Sequence, residues 1–109
     1  MKKVIKEITD NNKSISIESI LAIVSRRFNV TISQLLSKRR QRNLVVPRQI
    51  AIYLSRKLTN ISLSEIGGYI GGRDHSTIIH ADNKISKILQ KDKNLQLTIQ
   101  KLEEDLRRL

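Results

Sequence analysis

Apolar residues recur at helical spacing along most of this chain, and capping residues stand where the spacing breaks. Ile17, Ile20, Leu21, Val24 and Phe28 fall three or four apart behind Ser16, which predicts a capped first helix. Arg26 and Arg27 close that helix, where its dipole favours cations. Thr31 and Gln34 have capping-box spacing for a short second helix from Ser33 to about Ser37. A polar basic loop is expected from Lys38 to Asn43. Pro47 then fits the first turn of a third helix, where a missing N–H leaves nothing unpaired. Ile50, Ala51, Leu54 and Leu58 would line its buried face, with Arg48, Arg56 and Lys57 on others. Ser62 and Glu65 repeat the capping-box spacing and open a fourth helix ending near Ile70. Asp74 opens a fifth, with Ile78, Ala81, Ile85, Ile88 and Leu89 as its buried stripe. Asp92 caps a last helix carrying Leu95, Ile99, Leu102 and Leu106. Residues 1–15 read as a linker or frayed segment, although Ile5 and Ile8 are spaced for a short helix.

The fold class that follows is all-α: about six helices around a helix–turn–helix core with a basic loop, spanning residues 16–109. Composition supports it, since Pro47 is the only proline and all four glycines lie between 67 and 72. Strand-like alternation is confined to Ile15 and Ile17. The 109 residues suit one domain, and its core must be aliphatic because Phe28, Tyr53 and Tyr69 are the only aromatics. The absence of cysteine excludes disulfides, Fe–S clusters and thiolate zinc sites. No apolar run reaches the roughly 18 residues of a membrane span, and no signal peptide is visible. A cytoplasmic, nucleoid-associated protein without membrane insertion is expected.

Charge changes the picture. The net charge is +11, and no acidic residue occurs between Ser19 and Ser64. That half holds Arg26, Arg27, Lys38, Arg39, Arg40, Arg42, Arg48, Arg56 and Lys57, while acids return at Glu65 and cluster at Glu103, Glu104 and Asp105. A surface that is charged only for solubility intersperses both signs. An uncompensated basic half points instead to a polyanion partner.

The chemistry concentrates in Gly71-Gly72-Arg73-Asp74-His75-Ser76-Thr77. Glycines accept positive φ and end helices, and aspartate caps them. Arg73, His75, Ser76 and Thr77 therefore crowd a helix start, where backbone N–H groups favour anions. A helix, a glycine turn and a second helix in so basic a chain has the form of a DNA-reading helix–turn–helix. Asp74 suits cytosine N4, Ser76 either a donor or an acceptor on a base edge, and His75 a base or thymine methyl. Asp74 is also expected to cap, with one oxygen for each role. A hydrolase triad from Asp74, His75 and Ser76 is excluded, because consecutive helical residues point about 100° apart. His75 and His80 are five apart, not the i, i+4 spacing of a metal-binding helix face. In the basic loop, Arg39 and Arg42 suit phosphates.

With those residues in place, the chain resembles the C-terminal DNA-binding domain of the bacterial replication initiator DnaA. The likeness rests on Ile66-Gly67-Gly68-Tyr69-Ile70-Gly71-Gly72-Arg73-Asp74-His75-Ser76-Thr77-Ile78-Ile79-His80-Ala81. Leu36-Ser37-Lys38-Arg39-Arg40 and Pro47-Arg48-Gln49-Ile50-Ala51 extend it, and it runs ungapped from about Ser16 to Leu89. Two departures are visible: Ile70 stands where the family usually has phenylalanine, and Ser64 where some members carry proline. The resemblance implies that Asp74, His75, Ser76 and Arg48 read bases in the major groove, although Arg48 equally suits a phosphate clamp. It implies that Arg40 enters the minor groove, as arginine does at narrow A·T-rich sequence. Lys38, Arg39, Arg42, Gln49, Arg56, Ser64, Arg73, Thr77 and His80 are then expected at the DNA backbone. The partner implied is double-stranded DNA, as A·T-rich initiator boxes of a replication origin, bound by a single copy; regulators of initiation are further candidate partners. Full-length family members carry an ATPase module, yet no Gly-x-x-x-x-Gly-Lys-Ser/Thr loop occurs here. No cofactor and no catalysis are expected of this chain, ATP belonging to that module; the chain is expected to be an excised domain or the tail of a longer protein.

Rival classes make different demands. A protein-interaction module with a basic face needs no Asp74-His75-Ser76 at a helix start and shows no preference among duplexes. Three scattered aromatics offer no stacking platform for single-stranded RNA. No segment pairs a bulky apolar face with a wholly basic one, as a membrane-surface helix would.

Overall fold

The computed structural model describes residues 15–109; the linker reading of the first residues, with Ile5 and Ile8, lies outside them. Among the described residues there are six helices: α1 (Ile17–Phe28), α2 (Ile32–Leu36), α3 (Arg42–Leu58), α4 (Leu63–Tyr69), α5 (His75–Leu89) and α6 (Lys93–Arg107). The all-α, six-helix expectation holds.

Local chemistry sets most of the boundaries. Ser16 Oγ accepts the Ser19 N–H at 3.1 Å, and Asp92 Oδ1 accepts that of Leu95 at 3.0 Å. The Thr31–Gln34 and Ser62–Glu65 capping boxes are both closed in each direction. Each pairs helix-start donors that would otherwise lack partners. Asn29 ends α1 in the left-handed region at φ 56°, and the Val30 N–H then reaches the Ser25 carbonyl at 3.0 Å. Asparagine tolerates that conformation better than most residues.

The start of α3 departs from expectation. The helix begins at Arg42, not near Pro47, so Pro47 lies in its second turn and the basic loop is shorter than Lys38–Asn43. Gln41 makes no side-chain cap bond, so no local signal marks the true start. Burial supplies what the sequence lacks there: Leu44 is 1 % exposed, and Val46 packs on the core. Pro47 leaves the Asn43 carbonyl without its usual helical donor.

Helix α3 is the centre, packed by α1, α2, α4 and α5. Its Ile50, Ala51, Ile52 and Leu54 are all buried, so it is apolar around most of its girth, as a central helix should be. Around it, Ile20 and Val24 of α1, Ile66 of α4, Ile78 and Ile85 of α5 and Leu102 of α6 complete one aliphatic cluster. Ile88 departs from the expected stripe of α5 and is exposed. No helix among the described residues is long and apolar enough to cross a membrane.

Candidate nucleic-acid interface

Helices α4 and α5 and the turn between them form the helix–turn–helix. The turn closes on one acceptor: the Gly67 carbonyl takes N–H bonds from Gly72 and Arg73, each at 2.9 Å. Gly71 and Gly72 both have φ +76°, where a Cβ is strained. Gly71 is doubly constrained, since a Cβ there would collide with the Leu36 carbonyl and the Arg73 guanidinium. A Cβ on Gly67 would collide with the Arg73 carbonyl, whereas one on Gly68 meets nothing. Gly68→Ala should therefore stabilise the domain by about 0.5–1 kcal/mol through better helix propensity. Gly67→Ala should destabilise it. Thermal unfolding followed by circular dichroism separates the two.

The turn delivers α5 with its first residues outward. Asp74 caps the helix through Oδ1, which accepts the Thr77 N–H at 2.9 Å. Hydrogen bonding from Thr77 holds its carboxyl below the usual aspartate range, so it is ionised at neutral pH. Asp74, His75, Ser76, Thr77 and His80 are all exposed. The His75 ring is tethered: its Nε2 lies 2.5 Å from Ser64 Oγ of α4. That contact gives Ser64 a partner within the helix–turn–helix, beside the backbone role expected of it.

The basic loop and α5 share one cleft of about 420 Å³. Arg40, Arg42, Gln49 and Lys84 line it over Val45, Val46, Ile85, Ile88 and Leu95, with Asp92 the one acid among the described residues. Arg39, Arg40 and Arg42 are exposed. Lys84 was missed from sequence, although it continues the helical row Ser76, His80, Lys84 at four-residue steps. Ile79 was missed too; it follows His75 by four residues and is 39 % exposed.

Four expected DNA-contacting cations have protein partners. Arg48 is 6 % exposed, and its guanidinium donates to the carbonyls of Leu35 at 2.7 Å, Arg39 at 2.9 Å and Gln34 at 3.2 Å. In this conformation it points into the protein, contrary to the expectation that set it off the buried face of α3. The reason is tertiary: α2 lies over that face, and its last carbonyls need donors. Arg73 also turns inward, donating to the carbonyls of Ile70 and, at 2.6 Å, Ser37. Burial lowers the pKa of both guanidiniums, and for Arg48 the nearby charge of Arg73 adds to the effect. Lys38 Nζ donates to the Gly71 carbonyl at 3.2 Å. Arg56 pairs with Asp82 of α5 at 3.0 Å, which offsets much of the charge it was expected to offer phosphate.

Comparison with known proteins adds the lineage. Residues 17–85 match the family described as the bacterial dnaA protein helix-turn-helix. A relative from Lachnoclostridium phytofermentans, the chromosomal replication initiator protein DnaA, is 47 % identical over 90 residues. The matched region is 83 % of this chain but only 20 % of that protein. By its glycine turn, its outward-facing Asp74-His75-Ser76 and its match across six-tenths of its length, the chain belongs to the bacterial DnaA helix–turn–helix family.

Proposed function

We propose that this chain binds double-stranded DNA with sequence preference by gripping two grooves at once, at A·T-rich initiator boxes of a bacterial replication origin. The observation that carries this reading is the juxtaposition of an outward helix start, Asp74 to Thr77, with an exposed arginine loop beside the same helix. In it, α5 enters the major groove. Asp74, His75 and Ser76 meet base edges there, and Ile79 offers an apolar contact to a thymine methyl. Arg40 enters the neighbouring minor groove, where narrow A·T-rich sequence strengthens the negative potential. Arg39, Arg42, Gln49, Thr77, His80 and Lys84 hold phosphates and fix the register. Two grooves read by one domain require no dimer. The chain takes no part in catalysis, and nucleotide chemistry belongs to the remainder of the longer family proteins.

The test is competition between an initiator box and a scrambled duplex, followed by binding-site selection on variants at fixed salt. His75→Ala or Ser76→Ala is expected to cost about 1–3 kcal/mol and to relax one or two positions. Arg40→Ala should relax the A·T preference at the other end of the site. Asp74→Asn keeps a cap while adding a donor, so it should change which base is preferred. Uniform losses with an unchanged preference at every position would make these contacts backbone clamps and end the two-groove reading.

A further inference from the structure

The basic loop and the helix–turn–helix turn are separated by some thirty residues in sequence but bonded directly in space. Arg73, from the turn, donates to the Ser37 carbonyl at 2.6 Å, and Lys38, from the loop, donates back to the Gly71 carbonyl at 3.2 Å. Gly71 lies so close to the Leu36 carbonyl that no side chain fits between them. From the other side, Arg48 of α3 holds the carbonyls of Gln34, Leu35 and Arg39. The segment 34–39 that leads into Arg40 is therefore held between two inward guanidiniums. One is anchored on α3 and the other stands beside the Asp74 cap of α5.

We infer that Arg73 is a positioning residue for specificity: it sets where Arg40 stands relative to α5, and so fixes the spacing between the two halves of the recognised site. This rests on the two-groove reading above. An arginine suits the task, because its planar fork donates in fixed directions to two carbonyls at once, which the compact ammonium of lysine does not reproduce. Both terminal nitrogens of Arg73 already donate within the protein, which aims its fork at the loop rather than at a phosphate. It acts on DNA only through Arg40.

Binding-site selection and salt titration on the full chain test this, using wild type, Arg40→Ala, Arg73→Gln, Arg73→Lys and the Arg40→Ala/Arg73→Gln double variant. Arg73→Gln is expected to weaken binding about tenfold and to blur only the A·T positions governed by Arg40. In the Arg40→Ala background it should cost less than about threefold, since coupled residues are non-additive. The slope of log K against log[salt] should not change. Arg73→Lys keeps the charge but not the fork and should blur the same positions. A direct phosphate clamp predicts the opposite pattern: equal losses on all duplexes, a slope about one unit flatter for Arg73→Gln, near-complete rescue by Arg73→Lys, and additivity with Arg40→Ala. That pattern would overturn the inference. If Arg73→Gln fails to fold, as thermal melting shows, Lys38→Gln removes the reciprocal bond from an exposed residue and should blur the same positions about threefold; an unchanged preference would overturn the inference. Absence of any A·T effect from Arg40→Ala would instead remove the two-groove reading, and this inference with it.

Discussion

Raising monovalent salt from about 50 to about 200 mM should weaken duplex binding about a thousandfold, from a slope near −5 for roughly six neutralised phosphates. The cations on this face that the fold leaves outward are Arg39 and Arg40 in the loop, Arg42 at the start of α3, and Lys84 and Lys87 on α5. Arg48, Arg56 and Arg73 lie in the same basic half yet should add little, because their donors or charges are engaged within the protein. Arg39→Ala or Arg42→Ala should each flatten the slope by about one unit and weaken all duplexes alike. Fluorescence anisotropy across a salt series measures this. A slope near zero would mean that the basic loop and α5 are not the DNA face.

Arg48→Met should cost the domain about 2–4 kcal/mol of stability, enough to lower its melting temperature by roughly 10–25 °C. Methionine keeps much of the apolar stem but none of the donors. Three carbonyls, of Gln34, Leu35 and Arg39, lose their arginine donors at once. Two of them are last-turn acceptors of α2, a helix of five residues with little stability of its own. Calorimetry or a denaturant titration reports the loss. A change below about 0.5 kcal/mol would mean that water replaces the guanidinium freely and that α2 needs no such anchor.

The parts of this fold that were legible in the sequence are those fixed over three or four residues. Ser16, Thr31 with Gln34, Ser62 with Glu65, Asp74 and Asp92 each bond a backbone N–H within one helical turn. Their spacing alone therefore carries the information. The glycine turn was legible for the same reason. What was not legible depends on partners distant in sequence. The start of α3 rests on burial of Leu44 without a cap, and Pro47 misleads because proline so often marks a first turn. Arg48 was expected at DNA from the resemblance, and its inward turn was not legible because its acceptors lie 9–14 residues away. The Ser64–His75 contact spans 11 residues and the whole turn. Ile88 shows the converse limit: helical periodicity marks a stripe as apolar but does not say how far along it the neighbouring helices extend.

The two inward arginines are matched by carbonyl oxygens, and among the described residues no carboxylate accepts from either of them. Nothing on the acceptor side can gain a proton, and guanidinium keeps its own throughout the physiological range. A brace built from ion pairs would slacken as its acids were protonated. This one should hold its shape from mildly acidic to mildly alkaline conditions, so that the frame presenting the DNA face does not itself become a pH switch.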